Sequence, residues 1–293
     1  MLGNCKLCQK EAKLEVSHFI PKFVGKWIKK TSITGYLREV HEVKKRAQDT
    51  AKEHWLCAEC EGLFSTWESC FAKEVFYPYV DDSEARANYA AWMSKFCASL
   101  SWRTLTFIRS KNTLETKTPE YTASLDAAER HLANYLLGDA ANLNQYEQHV
   151  FPLDRIESTS ESDLPANINR YFLRVIAMDI VGNSENYFIY TKLPSFIILG
   201  AVKSHELNKM RSSRIGLRSG RLSPRKYVFP TGLMEYISDK AIMIKEAQAK
   251  IPKHQQDKIN DQVLKNPEKT VNSKQFEAFM HDYNHSGDKV FKK

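Results

Sequence analysis

Polar and apolar side chains alternate from Lys13 to Ser17, the period of a short strand, and Pro21 closes that segment. Residues 22–52 are basic and poorly patterned, with Gly25 and Gly35, and predict an insertion with little regular structure. From Cys60 onward Leu63, Phe64, Trp67, Cys70, Phe71 and Val75 recur at helical spacing. Residues 83–110 predict one long helix, with Asp82 or Ser83 as N-cap. Its apolar stripe is Trp92, Phe96, Leu100 and Phe107, with Met93 and Cys97 beside it. A second helix is expected over residues 119–137, with Leu125, Leu132 and Leu136 inward and Gly138 as its stop. The period then changes. Tyr171 to Val181 predicts an apolar strand, Gly182-Asn183 a turn, and Tyr187 to Thr191 and Phe196 to Val202 two further strands of an antiparallel meander. The tail from Ile237 is helical but mostly polar, broken at Pro252 and Pro267. The expected organisation is α+β. A compact N-terminal module fills residues 1–80. A mostly helical body fills residues 81–293, with strands over about 171–203 and a basic loop over 203–226.

Composition changes this picture in one respect. A chain of 293 residues with 42% hydrophobic content can bury a core, and no apolar run is long enough to cross a bilayer. No signal-peptide core precedes the first cysteines, so a cytoplasmic protein is expected. The net charge of +8 favours an anionic partner, nucleic acid first. The charge is also clustered. Lys203, Lys209, Arg211, Arg214, Arg218, Arg221, Arg225 and Lys226 are opposed between residues 203 and 226 by Glu206 alone. With Gly216, Gly220 and several serines among them, they predict a mobile loop that follows phosphates. Lys22, Lys26, Lys29 and Lys30 make a smaller cluster. Neither a G-x4-G-K-[ST] loop nor a G-x-G-x2-G fingerprint is present, which excludes the common nucleotide-binding loops.

The most specific chemistry lies in the first sixty residues. Cys5 and Cys8, then Cys57 and Cys60, form two C-x2-C pairs, the spacing of a tetrahedral all-cysteine zinc site. Cys70 and Cys97 sit in apolar helical patterns and read as buried thiols. Between the two pairs lies Ser17-His18-Phe19-Ile20-Pro21, and Glu61 follows the second pair at once.

Taken together, Cys5-Lys-Leu-Cys8, Leu14-Glu-Val-Ser-His18-Phe-Ile-Pro21 and Leu56-Cys57-Ala-Glu-Cys60-Glu61 resemble the HNH endonuclease superfamily. The likeness is closest to its zinc-stabilised members, where a treble clef holds a ββα-metal site. It spans about residues 1–70. It implies a structural Zn²⁺ on the four cysteines, a general base at His18, and a catalytic Mg²⁺ or Mn²⁺ held by flanking side chains. The chain departs from the family pattern at three positions. Ser17 stands where Asp or His binds the catalytic metal, Lys52 stands at the position of the middle Asn, and Glu61 replaces the final His. Glu61 offers oxygen to a hard cation, and as a first-turn acid it also suits a helix N-terminus. Glu68, two turns on, is a second carboxylate on the same face; His54 and Asp49 are further candidates.

Two functions follow from the resemblance. One is a metal-dependent endonuclease cutting phosphodiester bonds, DNA before RNA, with a protein partner subunit and a role in phage defence or a mobile element. Its expected residues are His18 and Glu61 for catalysis, and Lys22, Lys26, Arg211, Arg214, Arg218, Arg221 and Arg225 for nucleic-acid binding. The other is a zinc scaffold that has lost catalysis and recognises nucleic acid or protein.

Overall fold

The computed structural model describes residues 1–81, 86–111, 118–157, 164–223 and 226–291. In chain order its elements are β1 (Leu2–Asn4), β2 (Glu11–His18), α1 (Lys22–Lys30), β3 (Lys52–Cys57), α2 (Ala58–Phe71), α3 (Tyr77–Val80), β4 (Ala87–Ala90), α4 (Trp92–Ser110) and α5 (Pro119–Leu137). They continue with β5 (Gln148–Pro152), α6 (Ile168–Arg174), β6 (Ala177–Gly182), β7 (Tyr187–Leu193), β8 (Phe196–Lys203), β9 (Ser219–Leu222), α7 (Leu233–Ala249), α8 (Lys253–Lys265), α9 (Pro267–Val271) and α10 (Lys274–Ser286). The result is a mixed α+β protein with small antiparallel sheets in the orders β1-β2-β3, β4-β9 and β5-β8-β7-β6. No helix among the described residues is long and apolar enough to cross a membrane.

The chain divides into two compact units. The first comprises residues 1–20, 51–152 and 176–231, and the second residues 21–50, 153–175 and 232–293. A boundary near residue 80 is therefore not where the units part. One apolar cluster runs from Cys5, Leu14, Phe19 and Trp55 through Phe64 and Trp102 to Leu125 and Leu132. The N-terminal sheet shares its core with α4 and α5, because three short strands and one helix offer too little apolar surface for a core of their own.

Helix α4 is the centre of the first unit, with its residues from Phe96 to Leu105 all buried. On one side Trp102 lies 6.2 Å from Trp55 and 6.0 Å from Phe64, ring centre to ring centre. On another side small polar residues let the helix approach the four-stranded sheet. The Ser101 hydroxyl donates to Gln148 Oε1 (2.7 Å), and Thr104 and Thr191 hydroxyls meet at 2.8 Å. A Cβ on Gly200 would lie 2.4 Å from Ser101 Oγ, so glycine is required at this crossing.

Several expected elements appear as read, and others differ for identifiable reasons. Helix α5 ends at Gly138 in the left-handed conformation, φ 93°. The meander over β6, β7 and β8 is present, and Pro252 and Pro267 open α8 and α9. The expected strand Tyr171 to Val181 is instead the helix α6 followed by β6. Periodicity does not separate a short buried helix from a strand, and here a remote residue decides. The Asp282 carboxylate on α10 accepts the Asn169 and Arg170 amides at 2.7 and 3.3 Å, capping a helix start that no local residue caps. The insertion over 22–52 carries α1, whose Val24, Trp27 and Ile28 form a buried stripe. The long helix begins at Trp92, not near 83, because residues 87–90 pair with β9 far along the chain; the expected caps Asp82 and Ser83 lie outside the described residues. That same pairing gives the basic loop a strand, β9, besides a tight turn at Arg211–Ser213. Strand β5, five buried residues against β8, had no period of its own to betray it.

Candidate functional site

The first site is built by two knuckles. Cys5 and Cys8 lie in the turn between β1 and β2, where the Gln9 amide donates to Cys5 O and the Cys5 amide to Lys10 O, both at 2.9 Å. Gln9 takes a left-handed φ of 61° to close this turn. The Lys6 amide donates to Trp55 O (2.9 Å), fastening the knuckle to β3. Cys57 ends β3 and Cys60 lies in the first turn of α2. The four sulfurs all lie within 4.8 Å of one another, with Cys8 and Cys57 Sγ 3.8 Å apart. Zn–S bonds of about 2.3 Å place tetrahedral sulfurs about 3.8 Å apart, so the set fits one such ion. Within the group, burial at Cys5 is outweighed by the amides of Cys8, Cys57 and Leu7, which bring its pKa down to about 7, whereas burial raises the thiols of Cys8 and Cys60. Cys70 and Cys97 stand outside this group, and burial raises the pKa of each.

The second site lies where β2 ends. Strands β2 and β3 pair antiparallel, with His18 opposite Lys52. Their register shifts between Glu15, which faces Leu56, and Val16, which faces His54, so Trp55 is left over on β3. This irregularity breaks the expected alternation. Leu14 and Ser17 are buried while Val16 is 43% exposed. Ser17 thereby reaches α2, and its hydroxyl donates to Glu61 Oε2 at 2.7 Å across 44 positions of sequence. The two positions at which the family resemblance expects metal ligands are thus side by side, and His18 adjoins them in the chain.

Glu68 stands two turns beyond Glu61 on α2, and the field of its surroundings is mixed. Burial is the largest effect and holds its carboxyl above the ordinary carboxylate range; Arg103 and His18 lower it and Glu61 raises it, without reversing that direction. Arg103, on α4 and 3% exposed, donates from Nη1 to Glu68 Oε1 (2.6 Å) and to the His18 carbonyl (2.9 Å). Sequence reasoning missed Arg103. Its signal was a lone charge within the apolar span of α4, next to Trp102. His54 on β3 is engaged with the paired strand β2, its Nδ1 lying 3.0 Å from Leu14 O. Asp49 belongs to the second unit, where its carboxylate accepts the Thr50 amide (3.0 Å). Among the described residues, the four cysteines are the one group of three or more His, Cys, Asp or Glu donors close enough to share an ion.

The expected phosphate contacts divide between the units. Lys22 and Lys26 are exposed one turn apart on α1, in the second unit. Arg211, Arg214, Arg218 and Arg221 are exposed on the first unit. Arg211 donates to Asn208 Oδ1 (3.1 Å), Arg214 lies 3.2 Å from Glu147, and Arg221 is carried by β9. Arg225 lies outside the described residues. Comparison with models of protein families, with curated proteins and with solved structures finds no match. The site is therefore read from its own geometry.

His149 on β5 is perturbed for a structural reason. The Ser213 hydroxyl donates to Met210 O (2.8 Å), so His149 Nδ1–H donates to Ser213 Oγ (3.1 Å) and Nε2 carries the lone pair. Burial lowers its pKa from 6.5 to about 4. The folded protein therefore binds this proton less readily than the unfolded chain, and stability falls as pH drops from about 6.5 towards 4. The predicted loss is on the order of 3 kcal/mol across that range. Urea melts at successive pH values check it. His149→Asn should flatten the acid limb, and an unchanged limb would refute the assignment.

Proposed function

We propose that this protein is a metal-dependent endonuclease of the HNH type, with a structural Zn²⁺ on Cys5, Cys8, Cys57 and Cys60. The reading rests on one observation: Ser17 Oγ and Glu61 Oε2 meet at 2.7 Å, beside His18, at the junction of β2 with α2. A strand end and the first turn of the following helix are where such a centre needs its donors. Glu61 would hold a Mg²⁺ or Mn²⁺ ion, which when bound supplies positive charge to the scissile phosphate. Ser17 orients the Glu61 carboxylate by donating to one of its oxygens, and the other would be available to a cation. The imidazole of His18 would take the proton from the attacking water as its oxygen bonds to phosphorus; the bond from phosphorus to the sugar oxygen breaks, and that oxygen leaves with a proton from solvent. Exposed Arg211, Arg214, Arg218 and Arg221 on the first unit would serve the phosphate backbone of a DNA substrate, and a role in phage defence or a mobile element is proposed from the family resemblance alone.

Supercoiled plasmid is the direct assay. Zinc-loaded protein is expected to nick it with Mg²⁺ or Mn²⁺ and not with EDTA. Glu61→Gln should raise the Mn²⁺ needed for half-maximal rate by about tenfold or more, since a carboxylate ligand is lost. The gathering of four sulfurs, with no comparable second donor set among the described residues, favours a second reading: a zinc module that recognises nucleic acid without cutting it. Steeply salt-dependent binding with no cleavage under any divalent metal would select that reading.

A further inference from the structure

Arg103 reaches the end of β2 from outside the N-terminal sheet and α2, by its bond to the His18 carbonyl. Its guanidinium donates to four acceptors. Nε donates to Ser99 O (3.3 Å) and Nη2 to Ser99 Oγ (3.4 Å), anchoring it to its own helix. Nη1 carries two hydrogens and directs one to Glu68 Oε1 and the other to the His18 carbonyl. The guanidinium carbon also lies 5.0 Å from the centre of the Phe64 ring. One planar group thus joins α4, α2 and the last residue of β2. The next backbone tie of that strand is the Phe19 amide to Ala51 O (3.1 Å). The direction of the His18 side chain is set by its own backbone, and Arg103 is what holds that backbone from the α4 side.

Resting on the reading of His18 as general base, we infer that Arg103 is a positioning residue for His18 and that Glu68 serves Arg103 rather than the catalytic cation. A buried guanidinium needs an anion beside it, and Glu68 is that anion. Its commitment leaves Glu61 as the carboxylate for metal. The body of the protein is then part of the reacting centre, because the residue that fixes the base lies on α4.

The test uses the full zinc-loaded chain with Arg103→Met, Arg103→Lys and Glu68→Gln. Three quantities are read: plasmid-nicking rate at saturating Mn²⁺, Mn²⁺ for half-maximal rate, and amide exchange along residues 14–20. Arg103→Met is expected to lower the maximal rate by about 10²-fold, as a misplaced group does. Half-saturating Mn²⁺ should stay within about twofold. Exchange at residues 18–20 should quicken by about tenfold while the cysteine turn stays protected. Arg103→Lys keeps the charge without the fork and should recover only part of the rate; it also serves if the Met variant does not fold. A tenfold rise in half-saturating Mn²⁺ for Glu68→Gln would make Glu68 a metal ligand and overturn the inference. So would an unchanged rate in Arg103→Met, or exchange that quickens evenly along the whole chain. If the native protein fails to cut with every divalent metal tried, the nuclease reading falls on its own. Exchange then decides alone whether Arg103 holds the end of β2: unchanged protection at residues 18–20 removes it, and local loosening retains it.

Discussion

Cys57→Ser, or exhaustive chelation of the native protein, is expected to release one zinc per chain and to open the N-terminal sheet. The reason is the economy of this region. Strand β1 is three residues long, and the knuckle after it is tied to β3 by the Lys6 amide and by the sulfurs. Structural zinc sites in small peptides supply roughly 10 kcal/mol or more of apparent binding free energy, all of it folding free energy. Here Leu14, Phe19, Trp55 and Phe64 pack against Trp102, so the apolar cluster retains part of the structure. A loss of several kcal/mol is expected rather than complete unfolding. Metal analysis, urea melts and the fluorescence of Trp55 and Trp102 check it. Full stability in metal-free protein would mean that the four sulfurs pack without an ion.

His18→Ala is expected to lower plasmid nicking by about 10²–10⁴-fold, the usual contribution of a positioned base, with the fold intact. The side chain is half-buried at a strand end, and its carbonyl rather than its imidazole receives Arg103. Alanine keeps that carbonyl. The melting temperature should therefore move by only a few degrees. DNA binding should also persist, because the exposed arginines of the first unit are untouched. Nicking at the native rate would remove His18 from the chemistry, and a collapse of stability would make its role structural. Cys57→Ser and His18→Ala thus separate scaffold from reaction: the first loses both, the second only the rate.

Much of the candidate site was legible in residue order alone. Two C-x2-C pairs have few other uses in a chain with just two further cysteines, and the sulfurs do converge. Helix α2 begins within the second pair, at Ala58, and carries Leu63, Phe64, Trp67 and Phe71 at the spacing expected of a helix. Local rules serve here because the turn, the thiolate pair and the helix start all lie within a few residues. The same holds for α5, whose stop at Gly138 needs only a residue able to take φ 93°.

The remainder depends on partners far away in sequence, and local pattern carries no record of them. Val16 and not Ser17 looked inward by alternation, until the register shift at Trp55 exchanged their places and brought Ser17 to Glu61. Helix α6 starts where Asp282 supplies its cap, and the basic segment becomes a strand because Ala87–Ala90 pairs with it. Arg103 is the clearest case. In sequence it is an interruption in an apolar helix, whereas in the folded chain it neutralises Glu68 and grips the backbone of His18. The sequence by itself determined which four cysteines could share an ion, because each C-x2-C pair is set by short-range geometry and sulfur chemistry. Which side chains face one another at the end of β2 was decided only by tertiary structure, since register and buried charge pairing are properties of strands and helices once they meet.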